Sequence, residues 1–183
     1  MDGKVIFDGE TSKKLPLIIR YLKNGDEILL CDFMNNISKE QTYIRFQGEE
    51  IPLDFERKYI NDQLIKIQNH LIVKLLAFSG NALIGEADII MKDRVESHVG
   101  TLGVLVAKDY RGKGVGKLLV QKILEEGKKE LPQLRIAALE VYSINNLAIK
   151  IYEKFGFQKY GILPQGIKYK GEYVDEVFMY KKL

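Results

Sequence analysis

Thiol and imidazole groups are scarce in this chain of 183 residues, which contains one cysteine and two histidines. Cys31 has no partner for an internal disulfide, so neither an oxidising compartment nor a thiolate metal site is implied. His70 and His98 lack the spacing to carboxylates that zinc sites use. The sequence therefore predicts no metal site and favours the interpretation of Cys31 as a core residue.

Long apolar runs and a strong charge of one sign are also missing. No run approaches the about 18 apolar residues that a membrane-spanning helix needs. Residues 1–14 lack the basic and then apolar layout of a signal peptide. The formal net charge is only +3, and no basic stripe is interleaved with aromatic residues. We therefore expect a cytoplasmic protein that binds neither membrane nor nucleic acid.

Length and composition fit a single folded domain. The hydrophobic share of 46% is enough for a full core, and the length lies within the usual range for one domain. Neither an internal repeat nor a linker divides the chain. Residues 1–183 are therefore predicted to form one domain.

Helical patterns dominate the first part of the chain. The apolar run Leu15–Leu22 predicts a strand, and apolar residues at helical spacing predict a helix over Glu27–Ile37. Ser38 followed by Gln41 resembles a capping box, which predicts a second, short helix through "TYIRF". A third helix is predicted near "FERKYINDQLIKIQ".

Strand patterns dominate from residue 71 onward. Two β-rich runs on either side of "SGN" predict a hairpin, and further strands are predicted over 97–106 and 134–141. A helix over about 145–155 ends at Gly156, and two strands complete the chain. The fold class is therefore predicted to be mixed α/β.

The segment "RGKGVGK", residues 111–117, has a glycine at every second position, lies between basic residues and precedes an amphipathic run. A helix start exposes unpaired N–H groups, and glycines let the backbone approach a ligand closely. Several N–H groups can then converge on phosphate oxygens. The spacing fits neither a Walker A loop nor the dinucleotide fingerprint. We therefore predict a pyrophosphate site at this loop.

Two segments of the chain resemble motifs of the GNAT (Gcn5-related) N-acetyltransferases. "VLVAKDYRGKGVGKLL" resembles the coenzyme A-binding segment, with Arg111, Gly114 and Gly116 in the three defining positions. "NNLAIKIYEKFGF" resembles a second motif of the family, with Asn145, Ala148, Tyr152 and Gly156–Phe157 in register. The resemblance covers roughly residues 71–183. The C-terminal "YKGEYVDEVFMYKKL" is similar to a hairpin of members that act on small amines and amino acids.

The resemblance implies the GNAT fold, a mostly antiparallel sheet with one parallel, splayed strand pair and flanking helices. The coenzyme-binding part would span about 97–160 and the substrate-side helices about 26–69. The chain would use acetyl-CoA as co-substrate and no metal. The residues implied to contact the coenzyme are Val104, Leu105 and Val106 for pantetheine, Arg111, Gly112, Lys113, Gly114, Val115, Gly116 and Lys117 for pyrophosphate, and Asn145, Ala148 and Tyr152.

Acetyl transfer to an amine requires both a general acid and a route for the amine proton. Tyr152 is predicted to protonate the departing thiolate. Many members carry a glutamate on the strand before the glycine loop, where this chain has only Gly100 and Thr101. His98 and Glu86 are therefore candidate bases, the latter together with Asp88 on the same strand face. Glu140 is a further option.

The acceptor is expected to be the primary amine of a small molecule or amino acid, which attacks the thioester of acetyl-CoA directly. The alternatives are a protein N-terminus or lysine side chain, and a module that binds acyl-CoA without catalysis. Members of the family are often dimers, so the resemblance is also compatible with a homodimer.

Overall fold

A computed structural model describes residues 2–183, which form one eight-stranded sheet and four α-helices. The sheet order is β1-β2-β3-β4-β5-β6-β8-β7. The elements in chain order are β1 (Val5–Glu10), β2 (Pro16–Tyr21), α1 (Glu27–Lys39), α2 (Leu53–Gln68), β3 (Ile72–Ser79), β4 (Ala82–Met91), β5 (Val99–Val106), α3 (Val115–Glu130), β6 (Ile136–Tyr142), α4 (Asn146–Lys154), β7 (Gln158–Tyr169) and β8 (Glu172–Lys182).

All neighbouring strands are antiparallel except β5 and β6. This parallel pair is registered only from Val99 opposite Ile136 to Thr101 opposite Ala138. Beyond that point β5 continues to pair with β4 and β6 continues to pair with β8. A wedge therefore opens between the carboxyl-terminal halves of β5 and β6. The prediction of a mixed sheet with one parallel strand pair is confirmed.

Helices cover both faces of the sheet, which explains why β3 is buried at every position except its last. Successive strand residues point to opposite faces, so β3 contributes to two separate apolar clusters. One cluster includes Val73, Leu75 and Ala77 with Leu119 and Ile123 of α3. The other includes Ile72, Leu76 and Phe78 with Leu30 of α1 and Ile60 and Ile67 of α2.

The predicted short helix through residue 46 is wrong. Helix α1 extends to Lys39, and the segment 41–52 is irregular. Ser38 therefore lies in the last turn of α1, where its hydroxyl donates to the carbonyl of Glu49 at 2.7 Å. The same oxygen accepts from the N–H of Gly48 at 3.0 Å. The hydroxyl that resembled a helix cap instead closes the loop that follows α1.

Strand β1 had no counterpart in the sequence prediction. It is an edge strand whose side chains are mostly exposed, and its apolar residues are adjacent rather than alternating. Its regular structure comes from antiparallel pairing with β2. The remaining helices and strands match the predicted ones.

We expect Gly100→Ala to destabilise the protein, because Gly100 lies within the short paired part of β5. A Cβ atom there would stand 2.5 Å from Ile89 Cγ2 and 2.9 Å from Leu134 Cδ1. Overpacking of this kind costs about 1–3 kcal/mol of unfolding free energy. Urea denaturation measures the loss.

Gly161→Ala is the matched control, because the nearest atom to its added Cβ would be 3.7 Å away. It should leave the denaturation midpoint close to that of the wild type. A Gly100→Ala variant as stable as this control would contradict the packing described for β5.

Candidate active site

A cavity of about 370 Å³ lies between the end of β5, the loop 111–117 and α4, beside the wedge, and we call it the glycine-loop cavity. Its wall combines the end of β5, the loop 111–117, the start of α4 and part of the segment after α1. All but two of the residues implied to contact the coenzyme line it: Val104, Leu105, Val106, Arg111, Gly112, Gly114, Gly116, Lys117, Asn145, Ala148 and Tyr152.

The two exceptions are Lys113 and Val115. The Val115 side chain is fully buried in the core beneath α3. The Lys113 ammonium lies 5.3 Å from the centre of the Tyr110 ring. Val115 can therefore contribute only its backbone to an anion site, whereas the exposed Lys113 side chain lies at the surface outside the cavity.

The loop presents a series of unpaired backbone donors. Within residues 2–183, none of the N–H groups at positions 112–117 donates a hydrogen bond, and the first one used is that of Leu118, to Gly114 O. Gly112 and Gly114 have φ angles of +72° and +88°, which side chains disfavour. The turn thus aligns several N–H groups at the positive end of α3, an arrangement suited to phosphate oxygens.

Arg111 is held at the edge of this loop by contacts from two sides. Its Nε donates to the carbonyl of Val106 at 2.8 Å, and its guanidinium forms an ion pair with Glu40. Glu40 also accepts from the N–H of Lys108 at 3.0 Å. Because Glu40 directly follows α1, the pair connects the glycine loop to the segment after α1. The sequence analysis missed Glu40, and a partner 71 positions away leaves no local signal.

The end of β5 turns unpaired backbone groups into the wedge. The N–H of Lys92 donates to Val99 O, and the N–H of Ala107 donates to Ile84 O. The odd-numbered residues of β5 therefore form the hydrogen bonds to β4. Hydrogen-bonded and non-hydrogen-bonded positions alternate along an antiparallel strand, so the N–H and C=O of Val104 point away from β4 and toward the wedge. No strand pairs with Val104 on that side. These groups can therefore bind an extended amide-containing ligand in the manner of a further strand.

Helix α4 brings two polar side chains to the same cavity. Asn145 caps the helix, with its Oδ1 accepting from Ala148 N at 3.3 Å. The Tyr152 ring packs 5.7 Å from that of Phe157 and is only 8% exposed. Burial raises the pKa of Tyr152 to about 12. Its hydroxyl has no hydrogen-bond partner within residues 2–183, so it is a protonated donor available at neutral pH.

A second cavity, of about 530 Å³, adjoins the first, and we call it the carboxylate cavity. It is named for Glu140 of β6 and Glu176 of β8, which line it beside Arg45. Arg45 Nη2 lies 3.4 Å from Glu140 Oε2. The residues that line both cavities are Tyr43, Ile44, Val104, Leu105, Asn145, Ala148 and Tyr152. The two cavities therefore meet beside Tyr152.

The carboxyl group of Glu176 differs electrostatically from an ordinary surface glutamate. Partial burial raises its pKa, and the nearby negative charge of Glu140 raises it further, against a smaller opposing effect of Arg45. Glu176 can therefore exchange a proton nearer to neutral pH than a free glutamate does. Sequence analysis missed Glu176 as a base candidate, since its pairing opposite Tyr142 depends on the sheet.

Three of the base candidates lie outside both cavities. His98 is exposed where β5 and β6 begin to pair, about 13 Å along the strand from Leu102, where the carboxylate cavity starts. Glu86 is 8% exposed, and its Oε2 lies 2.8 Å from Lys74 Nζ. Asp88 also pairs with Lys74, at 3.3 Å. Of the four carboxylate and imidazole candidates, only Glu140 lines a cavity.

Neither a metal site nor a membrane span emerges from the described chain. Within residues 2–183, no group of three or more His, Cys, Asp or Glu side chains is placed to hold a metal ion. In the same range, no helix is long and apolar enough to cross a membrane.

The wedge, the glycine loop and the two adjoining cavities together have the features that an acyl-coenzyme A-dependent transferase site requires. The sequence pattern of the acetyltransferase (GNAT) family matches residues 31–157, and the chain belongs to this family. It is accordingly an acetyl-CoA-dependent N-acetyltransferase, as the resemblance implied.

Similar proteins cover most of the chain. The SPbeta prophage-derived uncharacterized N-acetyltransferase YokL of Bacillus subtilis is 33% identical over 88% of this chain and 86% of its own length. A GNAT-family acetyltransferase structure from Streptococcus pneumoniae has a TM-score of 0.83 at 27% identity, over 91% of this chain and 99% of that one.

Relatives with named acceptors differ from one another. The L-amino acid N-acetyltransferase AaaT of Escherichia coli is 32% identical over 59% of this chain and 67% of its own length. The N-alpha-acetyltransferase RimI of Mycobacterium tuberculosis is 32% identical over 56% of this chain and 60% of its own length. Similarity therefore fixes the acetyl transfer and leaves the acceptor class open.

Two glycine substitutions should separate loop folding from ligand binding. A Cβ on Gly116 would come no closer than 3.6 Å to Val106, so Gly116→Ala should fold normally and lose affinity only through the bulk facing the ligand. Gly114 has φ +88°, and its Cβ would stand 3.1 Å from Ser12 Oγ, so Gly114→Ala should also lose about 1 kcal/mol of stability or more.

Isothermal titration calorimetry with coenzyme A and thermal denaturation measure the two effects. Gly171→Ala serves as a control for positive φ alone, because Gly171 (φ +86°) has no atom within 4 Å and lies outside both cavities. Unchanged coenzyme affinity in both loop variants would contradict the assignment of this loop to the ligand.

Proposed function

We propose that this enzyme transfers the acetyl group of acetyl-CoA to the primary amine of a small molecule or amino acid. The observation that carries the proposal is the meeting of two chemically different cavities at one buried tyrosine. One cavity offers unpaired N–H groups and suits an anionic donor. The other contains two carboxylates together with Arg45 and Lys168, and suits an acceptor that carries an ammonium group and a carboxylate, such as an amino acid.

The coenzyme is proposed to lie in the glycine-loop cavity. Its pyrophosphate would accept hydrogen bonds from the N–H groups of residues 112–117, with Arg111 and Lys117 adding positive charge. The amides of its pantetheine arm would pair with the unpaired N–H and C=O of Val104. This arrangement would place the thioester near the shared wall, beside Ala148 and Tyr152.

Acetyl transfer is proposed to proceed by direct attack. The neutral amine forms a bond to the thioester carbonyl carbon, and the carbonyl oxygen becomes an oxyanion that backbone N–H groups of β5 can stabilise. The intermediate collapses with cleavage of the C–S bond, and the attacking nitrogen loses its extra proton, which restores the Tyr152 hydroxyl directly or through water. Tyr152 donates its proton to the departing sulfur, a role that suits a phenol kept protonated by burial.

Glu176 is the base that the geometry favours. A primary ammonium group, with a pKa near 10.4 for a lysine-like amine, must lose a proton before it can attack. Glu140 and Glu176 lie on the wall where the amine would bind, and Glu176 has the raised pKa. His98 and Glu86 were proposed from the sequence, but their positions give them no direct access to this cavity.

A small acceptor is favoured by the size and charge of the carboxylate cavity. Its volume of about 530 Å³ lies within the range of small-molecule sites, about 300–1,000 Å³. The likeness to an L-amino acid acetyltransferase agrees with this choice. A protein N-terminus is the competing acceptor, favoured by the likeness to RimI. A panel of free amino acids, polyamines and peptides with acetyl-CoA tests the proposal, and turnover of peptides alone would refute it.

Tyr152→Phe should lower kcat by about a hundredfold or more, because it removes the proton donor to sulfur. The dissociation constant of coenzyme A should stay within about twofold, since the ring and its packing are retained. Stopped-flow release of free thiol and calorimetry measure these quantities.

Tyr160→Phe is the matched control, since this tyrosine is 61% exposed and lines neither cavity. It should behave as the wild type. A Tyr152→Phe enzyme with full turnover would remove the phenol from the mechanism, whereas a wild type that binds coenzyme A without any turnover would indicate a binding module.

Glu176→Gln should lower kcat/KM for the amine by about a hundredfold and abolish the acid limb of the pH profile. In the wild type the base works when deprotonated, so activity should fall as the pH drops through the raised pKa of Glu176. Glu140→Gln removes the neighbouring charge that raises this pKa, so the acid limb should move to lower pH.

The pH dependence of kcat/KM at saturating acetyl-CoA is the measurement. Glu172→Gln, at an exposed position of the same strand, is the control and should leave the profile unchanged. An acid limb that persists in Glu176→Gln would assign the base to another residue.

A further inference from the structure

The turn between β1 and β2 packs against the glycine loop and contributes a buried hydroxyl. Thr11 is 5% exposed, and its Oγ1 donates to the carbonyl of Lys113 at 2.7 Å. The same oxygen accepts from the N–H groups of Lys13 and Leu15, at 3.2 and 3.3 Å. The hydroxyl is therefore fixed by its own turn and makes its one outward bond to the loop, 102 positions away.

This bond lies where α3 begins, next to Gly114, whose φ of +88° interrupts the helical backbone. In a longer helix the carbonyl of Lys113 would accept the N–H of Lys117, four residues later. Thr11 occupies that carbonyl instead, and the N–H of Lys117 has no partner within residues 2–183. The donor consequently stays available at the cavity that Lys117 lines.

The same bond orients the next peptide group. A trans peptide is planar, so fixing the direction of the Lys113 C=O fixes the Gly114 N–H in the opposite direction. Gly114 packs so closely on the turn that an added Cβ would stand 3.1 Å from Ser12 Oγ and 3.3 Å from Thr11 Cβ. The turn thus holds the loop at the residue where its φ angle is +88°.

We propose that Thr11 is a positioning residue for the coenzyme's pyrophosphate. Its hydroxyl keeps the Lys113 carbonyl directed toward Thr11 and away from the pyrophosphate. The N–H groups of residues 114–117 then remain directed at the phosphate oxygens. Thr11 lies outside the matched family segment, residues 31–157, so the pattern of the family does not include it. The inference rests on the proposed coenzyme site, since the pyrophosphate is the group that these donors would bind.

The test compares two acetyl donors that differ in the phosphate-containing part. Acetyl-CoA carries the pyrophosphate, and S-acetylpantetheine has the same thioester and arm without it. Thr11→Val keeps the shape and removes the hydroxyl. It should raise KM for acetyl-CoA about tenfold, leave kcat within about twofold and leave KM for S-acetylpantetheine unchanged, since one hydrogen-bonded contact is lost.

Two further variants isolate the hydroxyl from the methyl group. Thr11→Ser should restore KM for acetyl-CoA to within about threefold of the wild type, and Thr11→Ala should resemble Thr11→Val. The Ser and Ala pair supplies the same comparison if the Val variant does not fold. Ser38→Ala removes another buried, doubly bonded hydroxyl and should leave the ratio of the two KM values as in the wild type.

Each outcome decides between a positioning role and general stability. An equal loss with both donors, or no loss in Thr11→Val, would overturn the inference. A wild type that uses S-acetylpantetheine as well as acetyl-CoA would instead refute the proposed pyrophosphate site, and that result is visible before any variant is made.

Discussion

The proposed active site depends on the separation of β5 from β6 after only three paired residues. The remaining half of each strand keeps its other neighbour, so the sheet stays intact while a wedge opens within it. Buried N–H and C=O groups normally find partners, and leaving them unpaired is costly. The groups of Val104 are left unpaired at the wedge, and a ligand with amides of its own can satisfy them. The missing hydrogen bonds between β5 and β6 thus leave backbone groups to which a ligand can bind.

The glycine loop likewise keeps backbone N–H groups unpaired for a ligand, in this case an anion. Its donors at positions 112–117 stay unpaired because other parts of the chain hold the surrounding backbone. Thr11 occupies the carbonyl of Lys113, and Glu40 holds Arg111 against the end of β5. These two contacts come from the N-terminal hairpin and from α1, on either side of the loop. The loop is therefore arranged before any ligand arrives, which lowers the cost of ordering it on binding.

Electrostatic asymmetry between the two cavities follows from which strands form their walls. The start of α3 contributes N–H groups and basic side chains to one, whereas β6 and β8 bring Glu140 and Glu176 to the other. Tyr152 lies on the wall that they share, and burial keeps it protonated. The two cavities therefore differ in their linings and meet at a neutral proton donor.

The sequence by itself determined the features whose chemistry is local. The alternating glycines of 111–117, the helix over about 145–155 and the apolar strand patterns each depend on neighbours a few residues away, and the mixed α/β class followed from them. The local pattern also produced one wrong prediction, because Ser38 has the spacing of a helix cap but its hydroxyl forms hydrogen bonds to the loop after α1.

Only the tertiary structure decided which distant groups meet. It placed His98 and Glu86 away from the cavities, brought Glu176 to the carboxylate cavity, and brought Glu40 and Thr11 to the glycine loop. Strand order and helix packing set those distances, and both depend on contacts across many tens of residues. A carboxylate on an alternating strand looks the same in sequence whether it faces solvent, an ion pair or a ligand.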